Sequence, residues 1–315
     1  MRHSNNDVTG ETRNGSECHA LTSRQRDEMA LFQIFFEESR DGLVVLREDG
    51  GVYCTNARFA VMHGYTLAEV EQLYLWNWNS QYEKSRLLEI LRSVPMEGEH
   101  FETRHRCKDG RTIDVEVATN ATYLHGQKLI FCHCRDITQR NLDRERIHYL
   151  ATTDPLTGLA NRREFMSRCE AEVARARRFH RPLALIIYDL DHFKRINDTF
   201  GHNVGDRVLQ AATKQIHRHI RQEDLHARWG GEEFILLMPE CGLDAAMASA
   251  ERLRRAIAQY AYPHQETVSA SFGITVLAEG DEIDGLIKRA DDALYRAKAA
   301  GRNRAEIERP DVSSA

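Results

Sequence analysis

Leu225-His226-Ala227-Arg228-Trp229-Gly230-Gly231-Glu232-Glu233-Phe234-Ile235-Leu236-Leu237-Met238 reads as two strands folded back through a Gly-Gly turn, with a pair of acids directly behind it. Glycine at both central positions suits a tight hairpin, because both can take positive φ, and it leaves the backbone bare enough for a bulky ligand to approach. Upstream, Leu183-Ala184-Leu185-Ile186-Ile187-Tyr188 follows Pro182 as an unbroken apolar run, the pattern of a strand buried on both faces. Asp189 and Asp191 stand at its end, where alternation puts both carboxylates on one side of the chain. Acids gathered from two such strands repel: at an effective dielectric of 20, unit charges ~4 Å apart oppose each other by roughly 4 kcal/mol. A cation between them is expected, and hard carboxylate oxygens with no His or Cys alongside suit Mg²⁺ (or Mn²⁺). The competing reading is a hairpin with a solvated acidic tip, and the apolar strands flanking the acids weigh against it.

Working outward, a helix over 205–221 buries Val208, Leu209, Ala212, Ile216 and Ile220. Asp154 to Arg163 supplies a turn and a helix start, with Asn161 or a neighbour capping a helix that runs to about residue 179. Residues 139–153 are charged and Arg-rich, with Leu142, Ile147 and Leu150 at roughly helical intervals. They form a joining helix, either solvated or packed on a partner subunit as a short coiled coil. The N-terminal half alternates differently. Strands over 42–47 and 52–55 flank an Asp49-Gly50 turn, helices follow over 57–63, 66–73 and 82–94, and three strands close the segment over 101–107, 112–122 and 129–135. That order is α+β with one antiparallel sheet. A helix carrying Met29, Leu31, Phe32, Phe35 and Phe36 leads in, its apolar stripe assigned to core packing, and the polar, aperiodic residues 1–22 read as a disordered tail.

The chain has 315 residues, which suits two domains, and 42% hydrophobic with 29% charged residues excludes a wholly disordered chain. A net charge of −5 argues against binding driven by nucleic-acid phosphates. No run of eighteen apolar residues occurs and the N-terminus has no signal-peptide pattern, so a soluble cytoplasmic protein without a membrane segment is expected. Seven cysteines, an odd number spread along the chain, are read as reduced thiols. Cys132-His133-Cys134 puts both sulfurs on one strand face with no second pair at zinc spacing, so they are assigned to the core as small apolar residues.

Residues 30–138 resemble a PAS domain, on Asp49-Gly50, Asn56-Ala57, Gly64-Tyr65, Lys108-Asp109-Gly110 and Arg135-Asp136-Ile137-Thr138. The resemblance implies a sensory or dimerising module able to hold a small ligand, of unknown identity, between sheet and helices. Covalent flavin chemistry is disfavoured because no Cys lies between Cys54 and Cys107, and haem because 82–94 has no His while His63 sits in another helix. Trp76 and Trp78 lie near the expected pocket mouth, where they are either core or ligand contacts.

Residues 152–308 resemble a GGDEF diguanylate cyclase domain in its Gly-Gly-Glu-Glu-Phe variant. The match runs through Asp154-Pro155-Leu156-Thr157-Gly158-Leu159, Asp189 to Lys194, Asn197-Asp198, Gly201-His202, Gly205-Asp206, Arg228 before the hairpin, Ser271-Phe272-Gly273, and Ala290-Asp291 to Asn303. The resemblance implies a palm-like α/β nucleotidyl cyclase that condenses two GTP into cyclic di-GMP and pyrophosphate as a homodimer. It implies Asp189, the Leu190 carbonyl and Glu232 as metal ligands, and Glu232 or Glu233 as the group that takes the ribose proton. It further implies Asn197 and Asp206 as guanine readers, His202 as a substrate contact, and the amides of Phe193 and Lys194 with Lys298 and Arg302 as phosphate contacts. Arg221 and Asp224, with Arg252, match the inhibitory product site. The expected domains are a tail over 1–22, a PAS domain over 23–138, a helical linker over 139–153 and a cyclase domain over 154–309, with no phosphodiesterase domain after it. The alternative from another class is a catalytically silent receptor for GTP or cyclic di-GMP that signals by contact; Asp189 and the intact turn acids argue against it.

Overall fold

The structure is a computed structural model that describes residues 22–262 and 267–309. The expected tail lies, except for Thr22, outside the described residues. The chain divides into two compact units between Asp143 and Arg144.

The first unit opens with α1 (Ser23–Glu37), capped by Thr22 and Gln25 in a reciprocal box. Its stripe does not pack in a core: Met29, Leu31, Phe32, Ile34 and Phe35 are all at least half exposed, and α1 buries no residue. Periodicity reports that a helix has an apolar face but not what covers it. Five strands form an antiparallel sheet in the order β2-β1-β5-β4-β3: β1 (Gly42–Arg47), β2 (Val52–Thr55), β3 (Glu99–Arg106), β4 (Thr112–Leu124) and β5 (Gln127–Asp136). Between β2 and β3 lie α2 (Ala57–His63), α3 (Leu67–Val70), the unanticipated single turn α4 (Leu75–Trp78) and α5 (Lys84–Ser93). Asn56 ties this corner together. Its Oδ1 accepts from the amides of Leu43 and Phe59, the latter as helix cap, and its Nδ2 donates to the carbonyls of Phe36 and Asp41. Cys132 and Cys134 both face the core, where burial pushes the Cys132 thiol up to about 12.

Helix α6 (Thr138–Thr152) spans the division between units and buries no residue; Leu142, Ile147 and Leu150 are exposed. In the second unit Asn161 caps α7 (Arg162–Phe179) through Glu164 N. A five-stranded sheet runs in the order β10-β9-β6-β8-β7, with β6 (Leu183–Leu190) at its centre and all eight of its residues buried. The others are β7 (Leu225–Gly230), β8 (Glu233–Pro239), β9 (Ala270–Val276) and β10 (Ala305–Ile307). Helices cover both faces. Ala184, Ile186, Tyr188 and Leu190 join the core under α8 (Phe193–Phe200), α9 (His202–His217) and α10 (Leu243–Ala258). Leu183, Leu185 and Ile187 join the core under α7 and α11 (Ile283–Ala299). The two-residue period therefore sends Asp189 to the α11 side. Gly273 lets α11 lie on β9, since a Cβ there would stand 2.1 Å from the Ala290 carbonyl oxygen. Two helices of this unit differ from expectation: α9 runs from His202 to His217 rather than over 205–221, which leaves Ile220 beyond its end, and α8 turns 193–200, which includes Asn197, into helix.

Candidate active site

Three elements converge at the C-terminal end of β6. Asp189, 7% exposed, pairs in the ladder with Glu233 on β8, and the Leu190 amide donates to the Glu232 carbonyl at 3.3 Å. From α11, Lys298 Nζ reaches Asp189 Oδ2 at 3.0 Å. Burial raises the Asp189 carboxyl to about 6; Lys298 opposes the rise, and Glu232 and Glu233 add to it. Even with its lysine, this end of the sheet holds an excess of negative charge.

Asp191 parts company with Asp189. Its carboxylate accepts from Ser269 Oγ at 2.6 Å, Ser271 Oγ at 2.7 Å and the Asn303 amide at 3.0 Å. It is a lock between β6, β9 and the segment after α11, with three of its roughly four acceptor sites occupied. Beyond it α8 begins at Phe193 and Lys194, the first-turn amides that a helix leaves without an intrahelical acceptor. Phe193 is buried and Lys194 exposed.

The hairpin differs from the two-glycine turn that was expected. Only Gly231 has positive φ, at 51°, while Gly230 remains in β7 opposite Glu233. The register slips between Arg228 and Gly230. Trp229 between them is held against α7, edge-on to Phe165 at 5.8 Å with the Arg162 guanidinium over its ring at 4.3 Å. The turn is thus Gly231-Glu232, with Glu232 at its tip and Glu233 beside Asp189. A Cβ added at Gly230 or Gly231 would meet nothing within 4 Å, so the approach to the turn is open.

Arg228, which the sequence places in the family pattern before the hairpin without a role, holds this turn. Its Nε and Nη2 donate to the Gly231 carbonyl at 2.9 and 2.7 Å, and Nη1 lies 3.2 and 3.1 Å from the two Asp154 oxygens. Asp154 is fixed in turn by the Thr157 amide and hydroxyl. The available signal was an Arg two residues before a Gly-Gly pair, following an Asp-x-x-Thr turn far upstream.

Asn197 lies on α8 against Gly205 of α9, so close that a Cβ on Gly205 would fall 1.9 Å from Asn197 Oδ1. Asp206 and His202 are exposed on the first turns of α9. Lys298 is half-buried, and Arg302 is exposed after α11 with a φ of 63°. At the far end of α9, Asp224 Oδ2 accepts from the Arg221 amide at 2.9 Å, while Oδ1 is buried without a partner. Burial raises its carboxyl, opposed by the Arg221 amide and charge. The Arg221 side chain is exposed, with its nearest carboxylate, Glu223, at 3.9 Å. Arg252 donates to the His219 carbonyl at 3.1 Å.

Among the described residues no three His, Cys, Asp or Glu side chains form a closed cation cage. The donors at the end of β6 are two or three carboxylates and a carbonyl, a hard oxygen set that fits a divalent cation completed by ligand phosphates.

The model for the diguanylate cyclase GGDEF domain matches residues 151–304, and a PAS model matches 40–139. The diguanylate cyclase DgcM of Escherichia coli is 33% identical over 295 residues, covering 92% of this chain and 72% of that one. The diguanylate cyclase DgcP of Pseudomonas aeruginosa is 46% identical over 160 residues, which are 50% of this chain and 24% of its own. The coiled coil and GGDEF domain of DgcB from Caulobacter crescentus, solved in complex with c-di-GMP, superposes with a TM-score of 0.51 at 29% identity, over 55% of this chain and 93% of that one. With these likenesses extending through both units and an intact acidic turn at the sheet end, the chain belongs to the GGDEF family of diguanylate cyclases, with a PAS domain preceding the cyclase domain.

Proposed function

We propose that Asp189, the Leu190 carbonyl and Glu232 hold Mg²⁺ (or Mn²⁺) while each subunit of a homodimer presents one GTP to the other. The observation that carries this reading is the pairing of Asp189 with Glu233 beside an open, Arg228-held Gly231-Glu232 turn. A cation held there would polarise the α-phosphoryl group and acidify the attacking hydroxyl. Glu232 or Glu233 takes the ribose 3′ proton, the oxygen bonds to the α-phosphorus of the facing GTP, and pyrophosphate departs; the second condensation closes the ring. The first amides of α8, with Lys298 and Arg302, stabilise the departing pyrophosphate. Asn197 and Asp206 read guanine, and His202 contacts the substrate. Incubating the pure full-length chain with GTP and Mg²⁺, and identifying the product by chromatography and mass beside Glu232→Ala, tests the reading. A GTP-bound dimer that makes no cyclic di-GMP would overturn it.

Gly205→Ala checks the guanine assignment. The added methyl displaces Asn197, so KM for GTP is expected to rise about tenfold with kcat changed less than threefold; an unchanged KM would remove Asn197 from the site. Product inhibition is assigned to Arg221, Asp224 and Arg252, and Arg221→Ala is expected to raise the inhibitory concentration of cyclic di-GMP at least tenfold without changing initial velocity.

We assign the PAS role of input to 23–138, transmission to 139–153 and catalysis to 154–309, with GTP locating the reaction in the cytoplasm. No helix of the described residues is long and apolar enough to cross a membrane. Lys128 on β5 supports a route from the PAS helices: its ammonium donates to the carbonyls of Leu91, Arg92 and Val94 at the end of α5, while β5 itself runs into α6.

A further inference from the structure

Between the sheet of the first unit and helices α4 and α5 lies a cavity of about 390 Å³, with Val44, Trp78, Leu87, Leu91, Val117 and Ile130 among its walls. Its lining contains no Lys or Arg. The acids Glu99 and Glu102 also line it, both exposed, and the Glu102 carboxylate is already paired with Arg140 at 3.0 Å. A carboxylate or phosphate placed inside would therefore lose its hydration without gaining a counter-charge.

One lining side chain has an unusual hydrogen-bonding state. His105 is 3% exposed, and its Nδ1 lies 2.9 Å from Nε2 of His63, itself 1% exposed. The other nitrogen of His63, Nδ1, lies 2.9 Å from the Phe59 carbonyl oxygen. A carbonyl only accepts, so His63 Nδ1 carries the hydrogen. Burial lowers both imidazoles, His105 to about 3, so each has a single N–H. His63 Nε2 is then a bare acceptor, His105 Nδ1 donates to it, and His105 Nε2 is left with a lone pair. Among the described residues no hydrogen-bond partner occurs at that nitrogen. The Thr103 hydroxyl, also in the lining, is already committed to Gln81 Oε1 at 3.0 Å.

From the cavity's apolar walls, its lack of cations and the acceptor nitrogen of His105, we infer that this cavity binds a neutral, largely apolar molecule carrying one N–H or O–H donor, which His105 Nε2 receives. A cavity of this size accommodates one or two fused rings with substituents. The inference concerns the first unit alone and is read by binding, so it stands or falls separately from cyclase turnover.

Three probes of nearly one shape separate the contributions: indole has the donor, 1-methylindole lacks it, and indole-3-acetate adds an anion. Calorimetry on the full chain is expected to give saturable one-to-one binding of indole, about tenfold weaker binding of 1-methylindole, and no binding of indole-3-acetate. In His105→Leu the indole preference should fall to within twofold while the apolar affinity persists. Should that variant fail to fold, ¹⁵N-histidine NMR of the unaltered chain gives an independent reading. It should show His105 protonated at Nδ1 and bare at Nε2, with the Nε2 resonance moving as indole is added. Equal binding of indole and 1-methylindole, tight binding of the acetate, no saturation by any probe, or a proton on His105 Nε2 in the free protein would each overturn the assignment. A haem band in the purified chain would do the same.

Discussion

Asp189→Asn is expected to lower cyclic di-GMP formation by about three orders of magnitude while making the metal-free protein more heat-stable at pH 7.5. Both effects come from one environment. Asp189 lies near the end of a strand whose residues are all buried, faces Glu233 across the ladder, and has Lys298 as its only close cation among the described residues. Its carboxyl is raised from 3.8 to about 6 because burial and the neighbouring acids outweigh the lysine. A folded-state value above the unfolded one means that the folded protein binds the proton more tightly. Stability is therefore complete below about pH 4, falls as pH rises towards 6, and is flat above that. The ionised side chain disfavours the fold by roughly 3 kcal/mol there. Asparagine keeps the shape without the charge and removes most of that penalty. Melting followed in EDTA should show Asp189→Asn several degrees above the parent at pH 7.5, with the advantage gone near pH 4. A melting point at or below the parent's at pH 7.5, or turnover within tenfold of it, would contradict the account.

How much of this was visible in the sequence depends on element length and on what covers each face. The unbroken run of six apolar residues before Asp189 carries its own instruction, because a strand apolar at every position fits only a central place with helices on both sides. The alternating strands of the first unit and the cap at Asn161 were legible for the same reason: their determinants are local. Helix α8 was not, since eight residues span little more than two turns, its start at His192 has no side-chain cap, and it is held by packing on α9, where Gly205 receives Asn197. The slip at Trp229 was equally hidden, because it is imposed by Phe165 and Arg162 from a distant helix. The exposed stripe of α1 shows the opposite error, in which a correct period was given the wrong partner. Among site residues, those on the strand end and turn could be named from spacing, whereas the hold of Arg228 on the turn and the His63–His105 pair emerge only from contacts between residues far apart in sequence.

Arg228→Met is the complementary experiment, since it leaves every acid in place and removes only what holds the turn. The guanidinium closes a chain of bonds from the Asp154 carboxylate to the Gly231 carbonyl, and both side chains are less than one-fifth exposed. Methionine matches the stem but leaves the Gly231 carbonyl without its two donors and Asp154 with Thr157 alone. About 2 kcal/mol of stability should be lost, below the 3–5 kcal/mol typical of a fully buried pair because water reaches this one. Turnover should fall about a hundredfold, because Glu232 sits at the tip of the turn and a displacement near 1 Å there spoils the alignment of the reacting groups. Arg228→Lys should recover little, since one ammonium cannot serve the carbonyl and both carboxylate oxygens. The pH profile identifies the partner. Burial pushes Asp154 up, but Thr157 and Arg228 outweigh it and hold the carboxyl below its usual range. Its stabilisation is therefore present above the unfolded value near 3.8 and is lost as pH falls through the lower folded value. In Arg228→Met that acid-side loss should shrink, and a double-mutant cycle with Asp154→Asn should return a coupling of about 1 to 2 kcal/mol. If the two substitutions proved additive, with turnover preserved in Arg228→Met, the turn would be holding itself, and the arginine would be only a neighbour.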